Sequence, residues 1–375
     1  MKILYIFRSL AVWGGIERIL VDKMNAFVQQ ESTEVYMLTT DQGQHPIPYH
    51  INENVIIEDL NINFYHKYHF KLFKRLWVGH QKALLFERLL KSRVHVINPD
   101  IIICTTSDPI MSIIRVKGVI PLIVESHSIC IRTINHGRIW FSRYINRCFF
   151  LRGIKRAQAI VALTEGDARE WRKYHSNVVV IPNFIHRDPT KQASLVPKHI
   201  IFVGRFDYQK RVQDALLIWK EVSNRFPDWI LDVYGEGEMK DEIEREVANI
   251  DNVFLHQPTD KIYDCYRNSS VLILTSLFEP FGLVIPEAMS CGLPVVAYDC
   301  PYGPASIITD GHDGFLIPSR NNDLFNDKVC SLLKDYDLRC QMGSAAIKSS
   351  MRYLPEYIIP QWLSLFQHCV KGYIN

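Results

Sequence analysis

The sequence lacks long apolar runs and any ordered set of cysteines, and both absences argue against whole classes of protein. No stretch approaches the roughly 18 to 20 uninterrupted apolar residues that a membrane-spanning helix requires. The nine cysteines are scattered, odd in number and without a C-x-x-C pair. This pattern argues against a disulfide framework or a zinc site, and it favours reduced thiols in a cytoplasm. Internal repeats and low-complexity tracts are also missing.

The length and composition are those of an ordinary globular protein. A chain of 375 residues is too long for one hydrophobic core, so two domains are expected. Apolar residues make up 47% and charged residues 22% of the chain, which is neither a disordered nor a fibrous composition. The N-terminal stretch MKILYIFRSLAVWGG is apolar, but Arg8 interrupts it and no small-residue cleavage site follows. It is interpreted as a first core strand rather than a signal peptide.

The net charge of +3 conceals an asymmetry between the two halves of the chain. Residues 1–185 carry 24 Lys and Arg against 15 Asp and Glu, a net charge of +9. Residues 186–375 carry 19 against 25, a net charge of −6. A basic half joined to an acidic half suggests that the first half meets an anionic surface or substrate.

Short apolar runs alternate with helix-patterned segments from end to end, which indicates parallel sheets covered on both faces. Candidate strands are KILYIF, EVYMLTT, DIIICTT, PLIVES, QAIVALT and NVVVIPN in the first half, and HIIFVGR, WILDVYG, NVFLHQ, VLILTS and PVVAYD in the second. The polar, Pro-containing stretch 183–198 is interpreted as a linker. The predicted fold is α/β, with two doubly wound, Rossmann-like domains whose ligands bind in a crevice at the carboxyl ends of the strands.

Two glycine-containing turns are weak signals for phosphate binding. Gly14 and Gly15 lie where the first strand gives way to a helix, and backbone N–H groups at a helix start favour a phosphate. A tight turn that needs glycine for its dihedral angles is the alternative, and it is favoured on this signal alone. Gly235 and Gly237 follow a strand but lack the third glycine of the dinucleotide fingerprint, so NAD binding is poorly supported.

Two cations follow the first strand of the second half. Arg205 and Lys210 stand in the turn after the predicted strand HIIFV, residues 199–203, and at the start of the next helix. The helix dipole disfavours cations at that end, so their presence favours a function. Arg supplies a planar fork and Lys a point charge, and together they suit a diphosphate.

The stretch SLFEPFGLVIPEAMSCGLPVVA places two carboxylates eight residues apart. Glu279 is expected in the loop beyond the buried strand VLILTS, and Glu287 near the start of a short helix that contains Pro286 and ends at Gly292. Carboxylates accept hydrogen bonds from neighbouring sugar hydroxyls, and free amides at a helix start suit an anion. Each carboxylate also has an explanation without a function: Glu287 as a helix-dipole partner and Glu279 as an exposed loop charge. Together with the cations they predict a nucleotide-sugar site.

At this point the sequence resembles the retaining glycosyltransferases of family four, the group 1 glycosyltransferases with the two-domain GT-B fold. The resemblance runs from GGIER near the start to the final helix, and its most specific element is the E-x7-E of Glu279 and Glu287. The motifs VIPN at 180–183, VGR…K at 203–210 and YGP…DGHDGFLI at 302–317 agree in order and spacing.

The resemblance implies a role for each matching residue. Glu287 would bind the ribose hydroxyls, and Glu279 would hold hydroxyls of the transferred sugar. Arg205 and Lys210 would clamp the diphosphate, and His127 would lie beside the sugar. The backbone that contacts the donor would come from two short segments, namely Gly14 and Gly15, and Phe281, Gly282 and Leu283.

The resemblance also implies retention of the anomeric configuration, with a nucleotide-diphosphate sugar, favoured as a UDP-sugar, as donor. Because Arg205 and Lys210 can stabilise the leaving diphosphate where a metal would otherwise be needed, we expect no metal ion and no cofactor. Two positions depart from the family pattern. Ser306 stands where the family commonly has an acid, and Phe184 replaces a usual small glycine after VIPN.

Two first-domain segments mix cations with aromatic residues. Residues 64–93 contain eight Lys or Arg and one acid, and residues 132–156 contain seven and none. Such a face suits the headgroup zone of an anionic membrane. A helix that packs its aromatics inward and leaves a solvated basic face is the equally weighted alternative. Nucleic acid is not expected as a partner, because no recognised binding motif accompanies these segments.

We therefore expect an N-terminal acceptor-binding domain over residues 1–186 and a C-terminal nucleotide-sugar-binding domain over 187–356. A last helix over 357–375, interrupted at Pro360, is expected to cross back to the first domain. The predicted reaction transfers a hexose or N-acetylhexosamine to a glycan or lipid-linked acceptor at the cytoplasmic face of the inner membrane, with the protein bound peripherally. A sugar-nucleotide epimerase and a catalytically silent binding subunit are the alternatives.

Overall fold

The computed structural model describes residues 1–135 and 140–372, and its side-chain description leaves out residues 72–73 and 140–146. The chain divides into two compact units. The first consists of Met1–Ile181 together with the C-terminal segment that begins at Ile358, and the second is Pro182–Tyr357. The sequence had placed these divisions at 186/187 and 356/357, a few residues from where the backbone changes units.

The first unit is built on a seven-stranded sheet in which every strand pairs parallel to its neighbour. Its strands are β1 Lys2–Phe7, β2 Glu34–Thr39, β3 Val55–Asp59, β4 Ile101–Thr105, β5 Leu122–Ser126, β6 Ala159–Ala162 and β7 Val178–Val180. Its helices are α1 Gly15–Val28, α2 Leu72–Ile97, α3 Ile110–Val116, α4 Cys130–Ile134, α5 Trp140–Ile154 and α6 Glu165–Trp171, with a 3-10 helix over Phe64–His69. The strand order is β3-β2-β1-β4-β5-β6-β7.

The second unit repeats this plan with six parallel strands in the order β10-β9-β8-β11-β12-β13. Its strands are β8 His199–Val203, β9 Ile230–Tyr234, β10 Val253–His256, β11 Val271–Leu274, β12 Val295–Asp299 and β13 Gly314–Pro318. Its helices are α7 Val212–Arg225, α8 Lys240–Val247, α9 Ile262–Arg267, α10 Val284–Ser290, α11 Pro304–Ile307, α12 Asn322–Lys334 and α13 Tyr336–Ser350, followed by a 3-10 helix over Met351–Tyr353. A last helix, α14, spans Pro355–Lys371.

The central strands are buried on both faces because the crossover helices cover the sheet from both sides. All residues of β4, β5 and β11 are buried, which accounts for the apolar runs at 101–104, 122–124 and 271–274. The predicted α/β class with two parallel sheets is confirmed. In each unit the direction in which successive strands are added to the sheet reverses once, between β1 and β4 in the first unit and between β8 and β11 in the second. Ligands of such sheets bind beyond the carboxyl ends of these two strands.

Two strands were missed by the sequence analysis, and both lie at a sheet edge. The outer strand β3 has one buried residue, and β13 begins at Gly314 inside a stretch rich in turn residues. The strand β3 has a weak apolar signal because it buries little of its surface, whereas β13 is mostly buried and follows turn residues that hide its start.

The helix α14 continues through Pro360, although the sequence predicted an interruption there. Packing explains the difference, because Trp362 and Phe366 are fully buried and both rings contact Phe27 of α1. These contacts offset the loss of the one backbone hydrogen bond that the proline cannot make. Among the described residues, no helix is both long and apolar enough to cross a membrane.

Candidate functional site

In the second unit, a lysine and a glutamate meet at the point where the strand order reverses. Lys210 lies in the loop after β8, and Glu279 lies in the loop after β11. The Lys210 ammonium donates to Glu279 Oε1 over 2.6 Å, and Ser276 Oγ donates to the same oxygen over 2.6 Å. Both carboxylate oxygens belong to a buried side chain, but no described residue donates a hydrogen bond to Oε2. This oxygen remains able to accept from a ligand.

The loop after β8 holds Lys210 in place through backbone contacts. Asp207 Oδ1 accepts from the backbone N–H groups of Gln209 and Lys210, each over 3.0 Å. Gly204 leaves room for the lysine stem, since a Cβ there would stand 3.2 Å from its Cγ and Cδ atoms. Gln209 also joins the two loops, because its side-chain amide donates to the carbonyl of Phe278 over 3.0 Å.

The backbone of Glu279 is fastened to the loop that follows β12. Its N–H donates to the carbonyl of Pro301 over 2.7 Å, and its carbonyl accepts from Tyr302 and Gly303 over 2.7 and 2.8 Å. Gly303 lies against the next segment, because a Cβ there would stand 2.0 Å from the carbonyl oxygen of Phe281. The position of Glu279 thus depends on a loop that is more than twenty residues away in the chain.

We expect Gly303→Ala to disturb this arrangement. The glycine has an ordinary helical φ of −65°, so the effect arises from the clash with Phe281 and not from backbone strain. The extra methyl group should lower the free energy of unfolding by about 2 kcal/mol, the usual cost of overpacking. Thermal unfolding measures this loss, with Gly79→Ala on α2 as the control, because a Cβ there meets nothing closer than 3.6 Å. Equal stability of the two variants would contradict the prediction.

Glu287 lies in the first turn of α10, where a helix-dipole acid was the alternative, and it is buried; Glu279 is buried too, so it is not the exposed loop charge that the sequence left open. Its Oε2 accepts from the hydroxyl of Tyr266 over 3.1 Å. Gly282, with φ of +86°, turns the chain from Phe281 into this helix through Leu283. Both acids of this segment are therefore buried with hydrogen-bond donors beside them.

Arg205 is not joined to this pair. Its guanidinium contacts Asp207 Oδ2 over 2.9 Å, and its side chain is 62% exposed.

The glycines of YGEGE have a different purpose from the one that a nucleotide motif would give them. A Cβ at Gly235 would stand 2.0 Å from the carbonyl oxygen of Gly204, and one at Gly237 would stand 2.4 Å from that of Phe206. They allow the loop that carries Arg205 and Lys210 to pack directly on the turn after β9.

In the first unit, Gly14 precedes α1 and Gly15 is its first residue. The strand β1 ends at Phe7, so a loop separates it from the helix, which the sequence analysis had placed directly after the strand. The carbonyl of Gly14 accepts from the hydroxyl of Tyr49 over 2.9 Å, and the Trp13 ring contacts Tyr49 edge-on.

His127 immediately follows β5 and is buried. Its Nε2 lies 2.8 Å from Glu125 Oε2, and the same oxygen accepts from the ammonium of Lys23 over 2.5 Å. Burial would raise the pKa of Glu125, but the charge of Lys23 and the hydrogen bonds from both partners lower it to about 2. Burial in turn lowers the pKa of His127, despite the neighbouring carboxylate.

A cavity of about 1010 Å³ opens at the carboxyl ends of β4 and β5. Its lining includes Asp108, Ser128 and Arg132. Asp108 Oδ2 accepts from the backbone N–H and the hydroxyl of Thr105, over 2.7 and 2.8 Å, yet burial raises the pKa of this carboxyl to about 7. The lining also includes Ile131 and Phe150, so the cavity combines apolar walls with a buried carboxyl group.

Sequence reasoning missed several of these residues. Ser276 donates to Glu279, and Tyr266 donates to Glu287. Glu125 contacts His127, and Lys23 contacts Glu125. The spacing of Glu125 and His127, two apart at a strand end, was an available signal. Lys23 had none, because a lysine in an amphipathic helix is ordinarily exposed.

The described residues contain no group of three or more His, Cys, Asp or Glu side chains arranged to hold a metal ion. The sequence does contain one D-x-D triplet, at Asp335 and Asp337, and the structure explains it locally. Asp335 caps α13, where its side chain accepts from the backbone N–H of Leu338 over 2.9 Å, and Asp337 lies in the first turn. Acids in these positions complement the helix dipole.

The basic aromatic segment 64–93 exposes part of its apolar surface. Leu76 and Trp77 on α2 are 67% and 63% exposed, and Tyr68 is 61% exposed. Phe86 and Leu90 of the same segment are buried in the first unit's core. Inward packing thus holds for Phe86 and Leu90 and not for Tyr68, Leu76 and Trp77. In the other segment, 132–156, residues 136–139 and the side chains of 140–146 lie outside the described residues.

Two family profiles together match residues 13–349. The profile described as Glycosyltransferase Family 4 matches residues 13–188, and the one described as Glycosyl transferases group 1 matches residues 187–349. Among curated relatives, the amylovoran biosynthesis glycosyltransferase AmsD of Erwinia amylovora is 33% identical over 218 residues, which are 55% of this chain and 61% of that protein. The poly(ribitol-phosphate) alpha-N-acetylglucosaminyltransferase of Staphylococcus aureus is 28% identical over 58% of this chain and 45% of its own length.

The matches to both relatives thus span less than two thirds of their lengths. Among solved structures, the Anabaena protein HepE in complex with UDP superposes with a TM-score of 0.75 at 18% identity, covering 98% of this chain and 100% of that one. At this level of identity the similarity establishes the fold, which both proteins share.

Proposed function

Because the chain belongs to the group 1 glycosyltransferases of family 4, we propose that it transfers a sugar from a nucleoside-diphosphate donor to a glycan or lipid-linked acceptor. The proposed donor is a UDP-linked hexose or N-acetylhexosamine, and the proposed product is part of a cell-surface polysaccharide. The names of AmsD and of the teichoic-acid enzyme support this class of product. The UDP bound to HepE supports the choice of base.

The observation that carries the proposal is the contact between Lys210 and Glu279 at the strand-order reversal of the second unit. A cation for the diphosphate and a carboxylate for sugar hydroxyls are there within 2.6 Å of each other. The donor would thus bind with its diphosphate at Lys210 and its sugar at Glu279 Oε2. The backbone of Phe281, Gly282 and Leu283 borders the same position.

The remaining assignments concern the ribose, the diphosphate and the residues of the first unit. Glu287, already fixed by Tyr266, would accept hydrogen bonds from the ribose hydroxyls. Arg205 is exposed and would have to leave Asp207 to reach the diphosphate. Gly14 and Gly15 would present backbone N–H groups from the first unit, and His127 would contact the sugar.

In the proposed mechanism the bond from the anomeric carbon to the diphosphate breaks while the acceptor hydroxyl attacks from the same face. The leaving phosphate oxygen takes the hydroxyl proton, so the anomeric configuration is retained without a covalent glycosyl-enzyme. Lys210, together with Arg205 once it leaves Asp207, would neutralise the charge that develops on the diphosphate, a role that a metal ion fills where such cations are missing.

Release of the nucleoside diphosphate tests the function. Purified protein is offered a panel of UDP- and GDP-sugars with bacterial lipid extract as acceptor, with and without EDTA. We expect release from one UDP-sugar, dependent on the extract and unchanged by EDTA. A requirement for Mg²⁺ or Mn²⁺ would contradict the metal-independent mechanism, and trapping of a glycosyl-enzyme would contradict same-face attack.

The same assay separates the alternative functions. An epimerase would convert the donor to a second sugar nucleotide without an acceptor and without net transfer. A silent binding subunit would bind UDP but release none from any donor. The contacts of Lys210, Glu279 and Glu287 favour the transferase, because a silent subunit has no need to bury and pair these charges.

We further propose that the exposed part of the basic aromatic segment binds the surface of an anionic membrane, where a lipid-linked acceptor is found. Trp77 and Leu76 protrude from α2 beside Lys74 and Arg75, which are also exposed. The guanidinium of Arg75 lies 4.3 Å from the centre of the Tyr68 ring. Apolar side chains enter the interface while each cation contributes about 1 kcal/mol near an anionic surface.

Replacement of Leu76 and Trp77 by serine is expected to abolish this binding. Wild-type protein should sediment with vesicles that contain anionic phospholipid at low salt, and less so at high salt because the charges are screened. The matched control replaces Leu217 and Phe254, two exposed apolar residues of the second unit, by serine. Failure of the wild type to bind the vesicles, or equal binding by both variants, would refute the membrane proposal.

A further inference from the structure

A buried charged pair lies inside the first unit, and the stability of the fold does not explain why it is there. Lys23 on α1 is fully buried, and its ammonium contacts Glu125 Oε2 over 2.5 Å and lies 4.3 Å from the centre of the Trp362 ring on α14. Three buried polar atoms near this pair make no hydrogen bond to any described residue: Tyr5 Oη, Glu125 Oε1 and Trp362 Nε1. Apolar residues would fill such a place at lower cost, since burying two charges is expensive.

The pair determines which nitrogen of His127 carries the proton. Glu125 is ionised, because Lys23 and the hydrogen bonds to it outweigh burial and hold the pKa of this carboxyl at about 2. An ionised carboxylate can only accept hydrogen bonds. The contact of 2.8 Å between His127 Nε2 and Glu125 Oε2 is therefore donated by the histidine.

The other ring nitrogen is left with its lone pair. Burial lowers the pKa of His127, so the ring is neutral near pH 7, and a neutral imidazole with a proton on Nε2 is an acceptor at Nδ1. No residue in the described ranges hydrogen-bonds Nδ1. The neighbouring groups Tyr5 and Cys104 are neutral as well, because burial and nearby acids raise the pKa of both.

We propose that Lys23 and Glu125 are positioning residues that hold His127 as the Nε2–H tautomer, so that Nδ1 accepts a hydrogen bond from a substrate hydroxyl. The inference rests on the proposed transferase function, which supplies two such hydroxyls, one on the donor sugar and one on the acceptor. Lys23 keeps Glu125 ionised, Glu125 fixes the ring, and the indole of Trp362 covers the ammonium. Without the charge pair, the ring can turn over or change tautomer and present an N–H where an acceptor is needed.

The first test is the nitrogen NMR spectrum of the histidine rings in the full-length chain, labelled with ¹⁵N-histidine. A His127→Gln variant assigns the resonance. At pH 7 we expect the pattern of a neutral ring protonated at Nε2. A ring protonated at Nδ1 overturns the proposal. Because this measurement needs no substrate, its result is independent of whether the transfer reaction is found.

The second test removes both charges together in the double variant Lys23→Met with Glu125→Leu. We expect a melting temperature at or above that of the wild type, a mixture of His127 tautomers, and an approximately tenfold higher KM for one substrate, as for one lost hydrogen bond. A higher KM for the donor identifies the sugar hydroxyl as the partner, and a higher KM for the acceptor identifies the attacking one. Unchanged tautomer and KM values overturn the proposal.

A control and a reserve variant keep the test decisive. Lys173→Met with Glu170→Leu removes a surface pair that lies 2.8 Å apart on and just beyond α6, and it should change neither the His127 spectrum nor either KM. If the double variant fails to fold, Glu125→Gln replaces it, because it keeps the shape of the side chain and removes its charge. The same shift in tautomer and KM is expected there, and wild-type values for both again overturn the proposal.

Discussion

Lys210→Met is expected to lower kcat about a thousandfold, the largest effect of any single substitution in this protein. The charge on the diphosphate grows as the glycosidic bond breaks, and an ammonium held beside it stabilises the transition state more than the bound donor. Loss of one such preorganised group typically costs 10²- to 10³-fold. We expect the upper end, because Lys210 is already oriented by Asp207 and by its contact with Glu279.

The prediction is checked by steady-state kinetics on the donor that the release assay identifies. A kcat within threefold of the wild type would rule out this role for Lys210. The matched control is Lys220→Met, which removes an exposed lysine of α7 and should leave kcat unchanged.

Loss of stability has to be separated from loss of catalysis in this variant. Removing Lys210 leaves the buried Glu279 with Ser276 as its hydrogen-bond donor, and a buried carboxylate that loses its cation destabilises the fold. The double variant Lys210→Met with Glu279→Gln removes both charges. We expect it to regain most of the melting temperature and none of the activity.

Glu287→Gln is expected to weaken donor binding about 100-fold with a small change in kcat. The carboxylate would accept from the ribose hydroxyls, and hydrogen bonds to a charged group contribute about 1.5–3 kcal/mol each, where 1.4 kcal/mol is a factor of ten. Glutamine retains an acceptor for Tyr266, so the helix α10 should keep its position. Because the ribose takes no part in bond breaking, the loss should appear in KM and not in kcat.

Calorimetric titration with UDP and with the UDP-sugar distinguishes the two carboxylates. Glu287→Gln should weaken both ligands equally, because both contain the ribose. Glu279→Gln should weaken the UDP-sugar and leave UDP nearly unaffected. Wild-type protein should also prefer UDP over 2′,3′-dideoxy-UDP, and Glu287→Gln should lose that preference. A Glu287→Gln variant that binds UDP as tightly as the wild type would exclude the ribose assignment.

Much of the fold follows from local sequence patterns. Eleven of the thirteen described strands were identified, and the nine interior strands among them have a strong apolar signal because helices cover both faces of each sheet. β3 was missed because it has one buried residue, and β13 because its first residue, Gly314, lies among turn residues. Pro360 was misjudged for a related reason, because the contacts of Trp362 and Phe366 that stabilise α14 around it involve residues distant in the chain.

The candidate site was predicted unevenly. Glu279 and Glu287 share one short segment, and their spacing is visible in the sequence. The two cations before α7 were also visible, but the sequence treats Arg205 and Lys210 alike. The structure separates them, with Lys210 bound to Glu279 and Arg205 exposed beside Asp207. The glycines at 235 and 237 were recognised as a turn, yet their close contact with the loop after β8 was not.

The sequence by itself determined the class of this protein: alternating buried strands and helices, two parallel sheets, and the E-x7-E segment beyond a strand. Each of these is encoded within a few neighbouring residues, by apolar periodicity or by a fixed spacing. Only the tertiary structure decided that Lys210 contacts Glu279, 69 residues away, and that Lys23 contacts Glu125, 102 residues away. Such pairs depend on which strands become neighbours in the sheet, and no local pattern carries that information.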